Sequence, residues 1–229
     1  MLPIPLYLVA PTTSEYAAMR PAAARAGESV RLVLSGMGPE RVSRACEEMA
    51  GARSVALVGW AGAIDPQLLV GDVVVAAAVV NEEGERIECT PFELRGARTG
   101  VVLTVATPLM GPEEKRTAWH GGAIAAEMEG FALARWAAQR GVPLVHVRII
   151  LDAAGESLPA LGDALDPYGR IRPARLVRQL SARPGLVLGL VRYGIRVCTL
   201  SRRLAAIAAA LVAAGSPEVP ASARPPGSR

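Results

Sequence analysis

Residues 125–136 read AAEMEGFALARW, and within them Glu127 and Glu129 bracket Met128 where a run of small residues passes into a helical pattern. A helix start favours a nearby carboxylate through its dipole, so charge placement alone is one explanation of the pair. The next apolar run, VPLVHVRIIL (142–151), reads as a buried strand and ends directly on Asp152. Carboxylates at adjacent strand ends can act together, one as an acid and one as a hydrogen-bond acceptor for a diol.

Two glycine-bearing turns could bring backbone against a ligand. LSGMGPERVSRA (34–45) has a strand, Gly36 and Gly38, and then a helix start whose free N–H groups suit an anion or polar oxygen. A dinucleotide fingerprint requires a third glycine where this chain has Arg41, which argues against a Rossmann dehydrogenase. LVGWAGAIDPQLLVGDVVV (57–75) places Gly59, Ala61, Gly62 and Ala63 at the carboxyl end of a strand, where open α/β sheets bind ligands. For both segments a tight packing turn remains an equal alternative.

The elements that must position these residues alternate along the chain. IPLYLVA (4–10), SVRLVLS (29–35), SVALVG (54–59), GDVVVAAAVV (71–80), TGVVLTVA (99–106) and 142–151 read as strands, several apolar on both faces. Residues 13–26, 39–51, 112–119 and 128–140 read as helices, with Pro39 and Pro112 suited to a first turn. This order predicts an α/β fold, a three-layer α/β/α sandwich around a mixed, mostly parallel sheet. The predicted organisation is an α/β domain over 1–165, an Arg-rich helical extension over 166–214 and a disordered tail over 215–229.

Composition removes several function classes. With 229 residues and 51% hydrophobic content, the chain can bury one sizeable core. The net charge of +4 comes almost wholly from arginine, Lys115 being the only lysine, and gives no specific sign of nucleic-acid binding. Cys46, Cys89 and Cys198 have no metal-ligand spacing, so neither zinc nor another metal is expected, and reduced thiols point to the cytoplasm. The N-terminal apolar run lacks a basic flank and is broken by Pro3 and Pro5, unlike a signal peptide. His120 and His146 are the only histidines, and His146, inside an apolar strand, reads as a satisfied core residue.

From Arg170 to Arg203 there are nine arginines and no acidic residue, over a stretch that looks helical from 174 to 214 with breaks near Pro184 and Gly194. Arg192, Arg196, Thr199 and Arg203 fall on one helical stripe beside apolar residues. Such a segment can lie on an anionic bilayer or pack on protein.

GWAGAIDPQLLVGDVVV, AAEMEGFALARWAAQRGVPLVHVRIILDAA and the 23-residue interval from Glu129 to Asp152 resemble the nucleoside phosphorylase and nucleosidase superfamily that includes methylthioadenosine/S-adenosylhomocysteine nucleosidase. Residues beyond 155 resemble the C-terminal extension of the hopanoid-associated phosphorylase branch. The resemblance implies cleavage of an N-ribosidic bond, with Asp152 as acid toward the departing purine, Glu129 on the ribose hydroxyls and Met128 under the sugar. It further implies Glu15 as the activator of water; the two glycine turns and the carboxylate pair place Gly36, Ala61, Gly62 and Glu127 in the expected substrate site. No organic cofactor is implied, and phosphate enters only as a co-substrate.

Departures from the family pattern bear on specificity. Leu151 stands where adenine-specific relatives have serine, and Leu57 and Trp60 stand where phosphate-using relatives have arginine and serine. This leans toward hydrolysis, or toward phosphate held by Arg41 or Arg148. The expected substrate is a small-molecule or lipid-linked nucleoside such as adenosylhopane, the expected assembly a homo-oligomer, and the expected location cytoplasmic or membrane-peripheral through 186–214. The rival is a noncatalytic nucleoside-binding or membrane-associated scaffold that retains the fold.

Overall fold

A computed structural model describes residues 6–118, 122–161 and 164–215. His120 and the tail from 216 onward lie outside the described residues.

Eight strands form one mixed sheet: β1 (Leu6–Ala10), β2 (Val30–Leu34), β3 (Ser54–Ala63), β4 (Val73–Val80), β5 (Arg86–Glu88), β6 (Arg98–Thr104), β7 (Ala123–Glu127) and β8 (Leu144–Asp152). The connecting and terminal helices are α1 (Thr13–Ala26), α2 (Pro39–Glu48), α3 (Pro112–Thr117), α4 (Gly130–Arg140), α5 (Pro173–Ala182) and α6 (Leu186–Ala214). The sheet runs β2-β1-β3-β7-β6-β4-β5, and β8 pairs with both β3 and β4. The pairings β3–β8, β8–β4, β4–β6, β6–β7 and β7–β3 therefore close a ring. Strands β1 to β3 with β8 run parallel, as do β4, β6 and β7, while β3–β7, β4–β5 and β4–β8 are antiparallel.

Alternation along the strands fixes the two helical layers. In β1, Tyr7 and Val9 join Val42, Cys46, Leu133 and Trp136 of α2 and α4 on one face. Leu6 and Leu8 join Met19 and Ala22 of α1 and Leu204, Ile207 and Leu211 of α6 on the other. The three-layer expectation thus holds, and the sheet's period of two assigns each apolar residue to its layer.

Three local expectations are corrected. AIAAE is strand β7 rather than a lead-in to a helix, because β3 and β6 recruit it on both sides. Strand β3 continues past residue 59 to Ala63. Gly194 does not break α6, since one glycine costs only about 1 kcal/mol and the following turns are buried against α1 and β1.

Candidate active site

Strands β3, β7 and β8 each deliver polar groups to the same cavity. Glu127 is the last residue of β7, Glu129 caps the start of α4, and Arg148 and Asp152 lie on β8. Glu15 comes from the first turn of α1, where the sequence T-x-x-E forms a capping box. All five are buried.

Arg148 organises three of the carboxylates. Its Nη2 pairs with Glu127 Oε2 and donates to Glu129 Oε2 at 3.2 Å, its Nη1 donates to the Trp60 carbonyl at 3.3 Å, and its Nε donates to His146 Nε2 at 2.7 Å. Accepting at Nε2 makes His146 the neutral Nδ1–H tautomer. Burial and then Arg148 push its pKa down to about 3, against Glu127. Its Nδ1 has no hydrogen-bond partner among the described residues, so His146 is satisfied at one nitrogen only. The Arg148 guanidinium, one of the two groups expected to hold phosphate if phosphate is used, is shared among these protein acceptors.

Each carboxylate has its own set of donors. Glu15 Oε2 accepts from Thr12 N and Thr12 Oγ1, both at 2.6 Å, and its Oε1 accepts from Trp60 N at 2.7 Å. Glu127 accepts from Thr104 Oγ1 at 2.5 Å and from the amides of Glu129 and Gly130 at 2.8–2.9 Å. Glu129 Oε1 accepts from the Gly38 amide at 3.0 Å. Burial acts to raise Glu127, but Arg148, His146 and Thr104 outweigh it and hold that carboxyl below its ordinary value. Burial lifts Glu15 above its ordinary value despite Arg148. Burial, helped by Glu127 and opposed by Arg148, lifts Glu129 to about 7. Glu127, held below its ordinary value, therefore neutralises Arg148, while burial lifts both Glu15 and Glu129 above theirs.

A stability signature follows from Glu129. Because its folded value lies above the ordinary 4.5, the folded state holds a proton that the unfolded chain has released, so this contribution is lost as pH rises from about 4.5 through 7. Glu129→Gln is expected to flatten that decline, read as the urea midpoint at several pH values.

The bulge between Ala61 and Gly62 in β3 sets Gly62 opposite Asp152. A Cβ on Gly62 would lie 2.9 Å from Asp152 Oδ2, and one on Gly59 would collide with Glu15 Oε1 and Arg148 Nη1. The small-residue run therefore makes room for buried carboxylates. Asp152 also forms an ion pair with the buried Lys115 of α3. Burial raises the Asp152 carboxyl and Lys115 opposes that rise.

The cavity has a volume of about 1320 Å³, above the roughly 300–1,000 Å³ usual for small-molecule sites. Glu15, Ala61, Gly62, Glu127, Met128, Glu129 and Asp152 all line it, as the sequence reading expected. Gly36 does not: its φ of +82° forms the β2–α2 turn, with Arg41 and Tyr168 packed against it. Arg41 does line the cavity and stacks over the Tyr168 ring at 5.4 Å. Leu109, Met110, Leu158, Leu161, Leu165 and Leu186 add apolar surface to the wall. Helices α5 and α6 contribute Arg178, Gln179, Ala182, Leu186 and Tyr193 to it. Among the described residues no cluster of His, Cys, Asp or Glu suits a metal ion.

Sequence reasoning overlooked Thr12 and Thr104, gave Lys115 no role, and singled out Gly38 without its partner Glu129. Thr12 was recoverable from the T-x-x-E capping pattern, and Lys115 from being the one lysine among many arginines. Gly38 and Glu129 are 91 positions apart, and nothing local couples them.

Residues 11–94 and 88–178 match the family profile described as the Phosphorylase superfamily, and the chain belongs to that family. Among characterised relatives, the uridine phosphorylase of Salmonella typhimurium is 28% identical over 132 residues, 49% of this chain and 52% of the relative. Futalosine hydrolase of Streptomyces coelicolor is 36% identical over 94 residues, 35% of this chain and 38% of the relative. The chain thus spans about half the length, or less, of the curated relatives it matches. S-adenosylhomocysteine nucleosidase from Streptococcus pyogenes, solved with 5-methylthiotubericidin, superposes with a TM-score of 0.60 at 20% identity, covering 89% of this chain and 98% of that one. The methylthioadenosine/S-adenosylhomocysteine nucleosidase of Streptococcus pneumoniae with 8-aminoadenine gives 0.61 at 17% identity, covering 90% and 100%. These likenesses establish the fold.

Proposed function

We propose that the protein hydrolyses the N-ribosidic bond of a purine nucleoside bearing a large apolar 5′ group. Family membership supports ribosidic cleavage, and the observation that carries the choice of water is the grouping of Glu15, Glu127 and Glu129 around one guanidinium. Three carboxyl groups beside an arginine already paired with them disfavour a phosphate anion but not neutral water. Phosphate as co-substrate would then need Arg41 or another cavity arginine.

Each group has a task in such a reaction. The transition state places positive charge on the ribose and negative charge on the base. Glu129 accepts from the 2′- and 3′-hydroxyls, Met128 packs beneath the sugar, and Glu127 keeps Arg148 neutralised. Glu15, lifted above its ordinary value by burial, takes the proton of the attacking water. Asp152 protonates the leaving base. No metal or organic cofactor has a step.

Glu129→Gln tests the sugar assignment. It is expected to lower kcat/KM for ribonucleosides by at least about tenfold, leave 2′,3′-dideoxy analogues nearly unchanged, and abolish an acidic limb near pH 7. Equal losses on both substrates would remove Glu129 from the diol.

The size of the cavity and its leucine and methionine lining support a bulky 5′ group, and adenosylhopane, the substrate suggested by the hopanoid-branch resemblance, has that chemistry. Its source would be a membrane. On the arginine stripe, Arg196 forms a two-point bond at 2.7 Å with Glu156, while Arg192, 3.7 Å from the same carboxylate, keeps its side chain 72% exposed. Apolar side chains on the same helix also face outward: Leu188, Val191 and Ile195 are 76%, 52% and 60% exposed. Helix α6 is long and apolar enough to cross a membrane by length and composition. Its second half, however, packs on α1, so we propose surface contact. Changing these three residues to serine is expected to reduce flotation with anionic liposomes, whereas deleting α6 would strip the core. Unchanged flotation would remove the membrane from the account.

A further inference from the structure

Lys115 is the sole lysine of the chain, and its side chain is 2% exposed on α3. Its Nζ is directed entirely at the end of β8 and the loop beyond: it pairs with Asp152 Oδ2 and donates to the carbonyls of Ala153 at 2.7 Å and Glu156 at 2.9 Å. Those bonds use all three ammonium donors. The same loop is held from its other side, where Arg196 of α6 grips the Glu156 carboxylate and Glu156 accepts from the Ala153 amide at 3.1 Å. Asp152 is thus held between a buried cation and a braced loop.

An arginine could supply the charge, and the chain uses arginine for every other cationic side chain. It could not supply a proton, because guanidinium stays charged under all ordinary conditions, whereas an ammonium can pass one to a carboxylate it is hydrogen-bonded to. A carboxylate paired with an ammonium has no proton of its own to give a leaving base. The pair does.

We propose that Lys115 is a positioning residue that holds Asp152 and re-protonates it during departure of the base, an inference that rests on the ribosidic-cleavage reading above. As the bond from C1′ to the base nitrogen breaks, its electron pair stays with the base. The base takes a proton from Asp152, and Asp152 takes one from Lys115 Nζ, leaving a neutral amine beside a carboxylate. Water adds to C1′ and gives its proton to Glu15. Lys115 regains a proton, and Glu15 loses one, by exchange with solvent after release. Atoms and charge balance without an added oxidant, reductant or metal.

Leaving-group chemistry separates this role from a structural one. The full-length protein and its Lys115→Met and Lys115→Arg variants are assayed on a purine ribonucleoside and on 4-nitrophenyl β-ribofuranoside, whose leaving group departs as a stabilised anion and needs no proton. Both variants are expected to lose about 100-fold in kcat on the purine substrate and less than about threefold on the nitrophenyl one. Wild-type turnover by Lys115→Arg would show that charge alone suffices and would overturn the inference, as would equal losses on both substrates. A wild-type protein inert on both substrates would overturn the cleavage reading, and the inference with it. Should neither variant fold, lysine-labelled wild-type protein gives a single Nζ resonance. A shift of that resonance on adding adenine supports the contact through Asp152, and no shift overturns it.

Discussion

Asp152→Asn is expected to lower kcat on a purine ribonucleoside by about 10²–10⁴-fold, the usual contribution of a positioned acid. The amide keeps the shape and still accepts a hydrogen bond but has no carboxyl proton to pass to the base. The same change removes the counter-charge of Lys115 in a site where both side chains are almost fully buried. Breaking a buried ion pair in this way costs about 3–5 kcal/mol. Two independent readings are therefore expected: loss of base release at saturating substrate, and a lower urea midpoint. Full activity would remove Asp152 as the acid, and an unchanged midpoint would mean that the Lys115 pairing adds nothing to stability.

Arg148→Met has the largest expected effect on the fold. Without the guanidinium, Glu127 and Glu129 lose their ion pair and Glu15 loses the neighbouring charge that opposes its burial. Leaving carboxylates unpaired in the core costs about 3–5 kcal/mol, or on the order of 10 °C in Tm for a chain of this size. The sign of its pH dependence is also fixed. Losing Arg148 raises Glu15 and Glu129 further and removes the main charge holding Glu127 down, so the folded variant binds more protons than the folded wild type and its stability falls more as pH rises. Midpoints measured near pH 5.5 and pH 8 are expected to differ more in Arg148→Met than in the wild type. Equal differences would mean that the carboxylates do not depend on Arg148.

Much of this arrangement could be read from the residues. Asp152 stands out because an apolar strand ends on it, and Glu127 and Glu129 because they follow directly on a small-residue run, and both features are local. Strand β7 could not be read in the same way: AIAAE has one β-branched residue, and its conformation comes from strands paired on both sides. The closed ring of β3, β8, β4, β6 and β7 depends on β8 reaching two partners of opposite direction, which no window of sequence encodes. The arginine stripe was visible in α6, but the hold of Glu156 on Arg196, 40 positions away, was not. The Lys115–Asp152 pair spans 37 positions and two elements. Its trace in the sequence is compositional: one lysine in a chain that otherwise uses arginine.

The most direct test of the central claim is a chromatographic assay of adenosine and a 5′-alkyl adenosine, each with and without phosphate, in which the free base and the sugar product are both identified. The account predicts release of adenine without phosphate, with a free ribose product, and faster release from the 5′-alkyl substrate. Release that requires phosphate and yields a ribose 1-phosphate would contradict the assignment of water. The absence of free adenine from both compounds would contradict the account as a whole.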